Sequence, residues 1–570
     1  MFPFENLHGL KYFNPYLLKS FFLKNTLWGF LIFLPIALYF YFLSAYSLNI
    51  PKWDDHALKA FILDFQNTIG FIPKIQTFFK QHNEHRIAFD RVFTLIVFWI
   101  HGSIEYRWLM WVGNFTLLGV LLIFYKIFQK QKHSIAFFIP IPFILFQLQL
   151  WENTFWGMAA MQNFGIIFFI FGLIYLISSQ KQVYFYVALL FAFFVTYTSG
   201  NGITAFPICI VLLILQRRFK DSIIFGGVAI LLVFLYFYHY QMPTNNPSMD
   251  GIGIGKITFG FFSFLGSVFD LLPYSSGRIK FTIVLGAILF MISSLIAINL
   301  IFNSKLLFKQ RNLNQPELFI LGSLMFLIGT AIVVTYTRIS YGEVGLLTSR
   351  YKIYSILLLI TLYLALISKL DLTQIKWAAF PLILAAISFN ILANYINFKE
   401  VVNFRNQLMS FAINWKLDPI QPFSSKNIIL YESPKLTTDS HLSEIQKPVE
   451  SFQIWKEKIS KSRISNGIFL QNFTSPTLSK KDNNIFIIVQ SKARTYLMPS
   501  QLTNYPLNAS LRIGKYWQNG FISVLNNDEF ENGKYYLGIW IQEEFQSKGF
   551  YLNDSLIVNI AKPKSVKTNW

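Results

Sequence analysis

Residues 281–302 read FTIVLGAILFMISSLIAINLIF, a run without a charged side chain. At about 1.5 Å of rise per residue such a helix is about 33 Å long, matching the roughly 30 Å hydrocarbon core of a bilayer. It has no polar face to turn to water, so it reads as a membrane span. Ten other segments read the same way: 27–48, 108–127, 134–150, 157–178, 183–199, 202–216, 222–240, 317–337, 352–368 and 376–396. Two more, 89–101 and 257–273, read as spans, half-spans or helices lying in the interface. The first span follows Lys11, Lys19 and Lys24 without a small-residue cleavage site, so it reads as an uncleaved anchor. Composition agrees. Hydrophobic residues are 54% of the chain and charged residues 14%, against about 25% charged in an ordinary globular protein. The expected fold class is mainly α: a polytopic helical membrane protein with 11–13 transmembrane helices and a C-terminal α+β or β-rich domain.

The formal charge of +21 does not indicate a nucleic-acid partner, because the basic residues form no single patch. They sit between apolar runs, as membrane topology requires. With the N-terminus inside and the two ambiguous segments not crossing, Lys126/Lys130/Lys132, Lys181, Arg217/Arg218/Lys220, Lys305/Lys309/Arg311 and Lys369/Lys376 all fall on the cytoplasmic side. The expected organisation is a cytoplasmic N-terminus at 1–26, a transmembrane domain at 27–400 with a large first outer loop at 49–107, and an extracytoplasmic soluble domain at 401–570. In that last region Ile485–Val489, Phe521–Leu525, Tyr535–Ile541 and Leu556–Ile560 read as strands, and 441–461 as a helix. The lone cysteine, Cys209, excludes an intramolecular disulfide and a multi-cysteine metal site. The expected setting is a bacterial inner membrane, crossed many times.

Residues 1–400 carry 29 basic and 15 acidic side chains. Among the acidic ones on the expected outer face, Asp54, Asp55, Glu84, Glu152 and Glu343 are the candidates for the chemistry. Asp54 or Asp55 can cap the amphipathic stretch 57–65. Just past a span, such a carboxylate can also take a proton from a hydroxyl or hold a divalent cation against a phosphate. In Gln81-His82-Asn83-Glu84-His85-Arg86, Asn83 can cap a following helix, and Arg86 can pair with Asp90 at i,i+4. The two histidines do not have the H-E-x-x-H zinc spacing; His85 and Arg86 suit a phosphate instead. Glu152, beside Asn153 at a span end, requires a partner or water. Asn201 lies in the tight turn Ser199-Gly200-Asn201-Gly202. Arg350, beside Tyr351, suits a lipid phosphate on a face where arginine is otherwise disfavoured.

This layout resembles the GT-C superfamily of polytopic glycosyltransferases: an anchor helix, a long outer loop opening with an acidic pair and carrying Asn83-Glu84-His85-Arg86, then further spans and an outer C-terminal domain. Trp151-Glu152-Asn153, Gln162 and Ser349-Arg350-Tyr351 are further pieces of it, and the resemblance covers roughly 27–396. It implies a polyprenyl-phosphate-linked sugar as donor and a hydroxyl on a glycan or lipid as acceptor. It also implies a catalytic role for Asp54 or Asp55, as base or as ligand to a divalent cation (Mg or Mn). His85, Arg86 and Arg350 are then expected at the donor phosphate, and Glu84, Glu152, Asn153, Asn201, Glu343 and Tyr351 at the substrates. A transporter, flippase or polymerase of lipid-linked glycans is the alternative. The plain Phe, Leu and Ile in the middle of most spans weigh against transport.

Overall fold

The structure, a computed structural model, describes residues 15–242, 251–272, 275–304, 312–370, 376–417, 452–454, 459–473, 484–491, 495–542 and 547–559. It is mainly helical. The helices are α1 (Pro15–Tyr46), α2 (Asp55–Asn67), α3 (Phe71–Phe78), α4 (Ala88–His101), α5 (Tyr106–Lys130), α6 (Gly157–Ile177), α7 (Gln182–Thr198), α8 (Ala205–Leu215), α9 (Phe219–Phe237), α10 (Ile254–Leu265), α11 (Arg278–Phe302), α12 (Gln315–Arg338), α13 (Lys352–Ile367), α14 (Ala379–Leu417) and α15 (Leu507–Ile513). Between α5 and α6 the chain makes a rod of short helical turns, Ile135–Thr154.

Among the described residues nine helical segments are long and apolar enough to cross a membrane. They comprise the Thr26–Tyr46 part of α1, α5, the 135–154 rod, α6, α9, α11, α12, α13 and α14. The two remaining expected spans, 183–199 and 202–216, fall on the shorter helices α7 and α8. The ambiguous segments become α4, of 14 residues, and α10, of 12. Their lengths, about 21 and 18 Å, are less than the thickness of the hydrocarbon core.

Aromatic residues fill the bundle. Phe124 on α5 packs against Phe171 on α6 and Phe319 on α12, with ring centroids 5.6 and 5.9 Å apart. The 135–154 rod and α6 lie deep inside, whereas α1, α9 and α11 turn apolar side chains outward. One close approach fixes the site. Gly113 on α5 faces the backbone of Ala160, and any Cβ there would overlap it. Small residues at such crossings let two backbones meet.

A second core ties the first loop to the C-terminal region. Leu58, Phe61 and Tyr106 pack with Val401, Phe404 and Met409 of α14 and with Phe486, Ile488 and Trp540. The strands are β1 (Phe452–Ile454), β2 (Ile459–Ile464), β3 (Gly467–Asn472), β4 (Asn484–Gln490), β5 (Thr495–Pro499), β6 (Phe521–Asn526), β7 (Gly533–Gln542) and β8 (Ser547–Val558). They form a five-stranded sheet ordered β1-β8-β7-β4-β5 and a three-stranded sheet ordered β2-β3-β6. Strand alternation explains how the larger sheet serves two cores. Ile485, Ile487 and Val489 face the core shared by both sheets, and Phe486 and Ile488 face the core with α14.

Across the expected 400/401 boundary α14 runs on to Leu417. Its polar residues there clasp the sheet: Asn414 exchanges two hydrogen bonds with the Leu497 backbone, and Asn406 and Ser410 donate to Ser500 O and Leu497 O. The drop in apolar density near 398–402 marks a change of packing partner. The expected helix at 441–461 lies partly outside the described residues, and its described parts, 452–454 and 459–461, are strand.

Gly113→Val forces α5 away from Ala160. It is expected to cost at least about 2 kcal/mol, read as a lowered apparent melting temperature of the detergent-solubilised protein.

Candidate functional site

Several departures from regular helix meet at one end of the bundle. The first is the turn at 82–85. His82 and His85 exchange both backbone hydrogen bonds at 2.8 Å, and Asn83 takes a positive φ of 47°, which asparagine tolerates well. The second is a π-turn at Ala160–Phe164 within α6. The third is at Tyr197, which leaves helical geometry and leads into a 3₁₀ turn at Gly200–Thr204. The fourth is a series of 3₁₀ turns between Ile339 and Tyr351. Together with the C-terminal ends of α9 and α12 they line a cavity of about 580 Å³, a size that suits a small-molecule ligand.

Among the expected site residues, Asp54, Glu84, His85, Asn201, Arg350 and Tyr351 line this cavity. Asp54 stands at the N-cap position of α2, yet its side chain makes no capping bond. Its carboxylate is 3.8 Å from His82 Nε2. Burial pushes the Asp54 carboxyl up to about 6; Arg350 and the Asn83 amide oppose this and Glu84 adds to it. Burial also pushes His82 down to about 3, so the contact joins a carboxyl to a neutral imidazole and is not an ion pair. Glu84 is the opposite case. Burial works against its charge, but His85 and Arg338 together hold it below the usual carboxylate range. Arg338 Nη2 donates to Glu84 Oε1. His85 Nδ1 accepts from the Gly200 N–H at 3.1 Å, which leaves Nε2 to carry the proton. A Cβ at Gly200 would press on the Tyr236 hydroxyl and His85 Nδ1, so glycine permits this contact.

Arg350 is held from behind. Asn153 Nδ2 donates to its carbonyl at 3.0 Å, and the Ser349 hydroxyl donates to Gln149 O while accepting from the Glu152 N–H. Its guanidinium lies near the Trp53 and Trp156 rings, 6.0 and 5.7 Å from their centroids. Glu152, which required a partner, has two: Arg350 Nε at 3.3 Å and Lys52 Nζ at 3.8 Å.

Five expected site residues do not line the cavity. Asp55 is fully buried, and its two oxygens accept from the Lys52 and Met158 N–H groups at 3.0 and 2.8 Å. It pins the start of α2 to the start of α6. Arg86 spends its guanidinium on the carbonyls of Phe79, Tyr236 and Tyr238. That clasp holds the 82–85 turn against the end of α9, and the expected Arg86–Asp90 pair does not form. Glu152 and Asn153 support Arg350, and Glu343 lies in the neighbouring 3₁₀ turn. Asn83 caps no helix, because α4 begins at Ala88.

The cavity also contains residues not expected at the site: Gln162, Asn163, Tyr236, Tyr240, Arg338 and Tyr354. Arg338 carried the same signal as Arg350, an arginine on the expected outer face, where the positive-inside rule disfavours it. Tyr236 carried none, being one aromatic among many in an apolar run. No described residue of the C-terminal sheets lines the cavity. Among the described residues no group of three or more His, Cys, Asp or Glu side chains could hold a metal ion. Compared with models of protein families, with curated proteins and with solved structures, the chain matches none.

Asp55→Ala strips two buried N–H groups of their acceptor and is expected to cost about 3 kcal/mol, lowering the apparent melting temperature. Asp54→Ala, which breaks no backbone contact, is expected to change it little in the same thermal-unfolding assay.

Proposed function

We propose that the chain is a membrane glycosyltransferase that moves a sugar from a polyprenyl-phosphate donor to a hydroxyl on a glycan or lipid, at the extracytoplasmic face. The observation that carries this reading is a pairing across one cavity. Asp54 is a carboxylate held near neutrality and tied to no cation. Arg350 is a guanidinium that lines the same cavity and meets Glu152 through Nε at 3.3 Å, with the Trp53 and Trp156 rings beside it.

In the proposed step Asp54 accepts the proton of the acceptor hydroxyl, and the oxygen attacks the anomeric carbon. The bond from that carbon to the phosphate oxygen breaks, and its electron pair leaves with the lipid phosphate. Arg350 neutralises the charge that develops there. A carboxyl with a pKa of about 6 is both unprotonated at neutral pH and basic enough to share a proton in the transition state. Glu84, ionised by Arg338, raises the basicity of Asp54 without competing for the proton. No step is routed through a metal. The many apolar helices and the enclosure of the site at one end of the bundle support a lipid-linked donor, and the expected topology supports the outer face.

Asp54→Asn is expected to lower transfer from a lipid-phosphate sugar by at least about 10³-fold in isolated membranes, with expression and insertion unchanged. Full activity in that variant would sink the mechanism. Because the base acts unprotonated, kcat/KM is expected to fall tenfold per pH unit as pH drops below about 6, measured from pH 4.5 to 8.

A further inference from the structure

The charged groups at Asp54, Glu84, Arg338 and Arg350 account for part of the cavity wall. The rest carries no charge, yet it is rich in polar atoms that the protein leaves unpaired. Gln162 Nε2, Asn201 Oδ1 and Trp156 Nε1 are each buried and make no hydrogen bond, and Trp156 is only 2% exposed. All three residues line the cavity. A buried polar atom without a partner costs roughly 1–3 kcal/mol. Three in one cavity wall are a cost that a bound molecule with hydroxyl groups would remove.

The backbone around them is irregular in the same places. Gln162 and Asn163 stand on the π-turn of α6, and π-turns inside helices recur at functional sites. Asn201 stands on the 3₁₀ turn that follows the kink at Tyr197. Inside an apolar bundle, broken helix is tolerated where it lines a cavity. Asn201 is held loosely, its Nδ2 3.3 Å from the Tyr354 hydroxyl and 3.4 Å from Thr330 Oγ1, with Oδ1 left over. Asn163 connects this wall to the charged one. It donates to Asn153 Oδ1 at 2.8 Å, and Asn153 in turn holds the Arg350 carbonyl.

We propose that Gln162, Asn201 and Trp156 form a neutral subsite that binds the hydroxyl groups of the sugar ring while Arg350 binds the phosphate, so that these three side chains choose the sugar. The assignment rests on the glycosyl-transfer reading of the same cavity. An indole N–H, an amide N–H₂ and an amide oxygen offer donors and an acceptor in fixed places. That mixture distinguishes axial from equatorial hydroxyls and is of little use to a bare prenyl phosphate. Sites that hydrogen-bond a hydroxyl discriminate strongly against ligands lacking it, because their own polar groups are then stranded.

The test is equilibrium binding to the full chain in lipid nanodiscs. The probes are geranylgeranyl phosphate and the same lipid phosphate carrying glucose, galactose, mannose or xylose. Wild type is expected to bind at least one glycosylated form about tenfold more tightly than the bare lipid phosphate. Gln162→Met keeps the side-chain length and is expected to bring that ratio down to about two, with affinity for the bare lipid phosphate unchanged. Asn201→Leu is a second variant with the same expectation, and bare-lipid affinity reports whether each variant is folded. Arg350→Ala is expected to weaken both ligand classes together. A wild-type protein that prefers no glycosylated form, or variants that lose both classes equally, would overturn the subsite. Sugar-dependent binding that the variants abolish, with no turnover by wild type on any acceptor, would leave the subsite standing and reject glycosyl transfer.

Discussion

Every backbone N–H and C=O inside an apolar bundle must find a partner, and that constraint shapes the rest of this structure. A regular helix satisfies it internally. Where the chain leaves helical geometry it exposes polar groups, which side chains, other backbone or a cavity must satisfy. The breaks at 82–85, 160–164, 197–204 and 339–351 are therefore not scattered. They gather around one cavity, and their loose ends are bound by Arg86, His85, Ser349 and Asn153. Irregularity and function coincide because both require polar atoms to be exposed in an apolar setting.

The same low-polarity surroundings set the electrostatics. Asp54 and Glu84 line one cavity, yet burial pushes the first carboxyl up and two neighbouring donors hold the second down. The difference lies in partners. Arg338 contacts Glu84 directly, whereas Arg350 is drawn toward Glu152 and the tryptophan rings and acts on Asp54 from farther away. Glu152 is itself shared with Lys52. Two carboxylates of the same chemistry thus come to suit different tasks, one able to accept a proton and one to remain charged.

Asp54 and Asp55 show what sequence reading could not separate. They are adjacent and identical in type, and either could have capped α2. The structure turns Asp55 inward onto two backbone N–H groups and leaves Asp54 in the cavity. Arg86 is a similar case: an arginine beside histidines reads as a phosphate site, yet it is consumed by the nearby carbonyl of Phe79 and by those of Tyr236 and Tyr238 at the end of α9, far away in sequence. In the sequence Gln162 and Asn163 are two polar residues within an apolar run. The π-turn that presents them depends on the approach of Gly113, on another helix, to Ala160.

By itself the sequence determined the mainly helical, apolar class. Long uncharged runs can be buried only in lipid or in one another, so apolar helices and the β-rich tail followed from local pattern, whereas 11–13 spans were expected and nine described segments are long and apolar enough to cross a membrane. Locality is also the limit of that inference. Periodicity placed a boundary near residue 400, where composition changes, but α14 continues because the sheet replaces its apolar neighbours with a new core. Only the tertiary structure decided which polar residues share a cavity and which are spent holding it together. That choice depends on partners brought from distant segments, and a residue's type does not encode its partner.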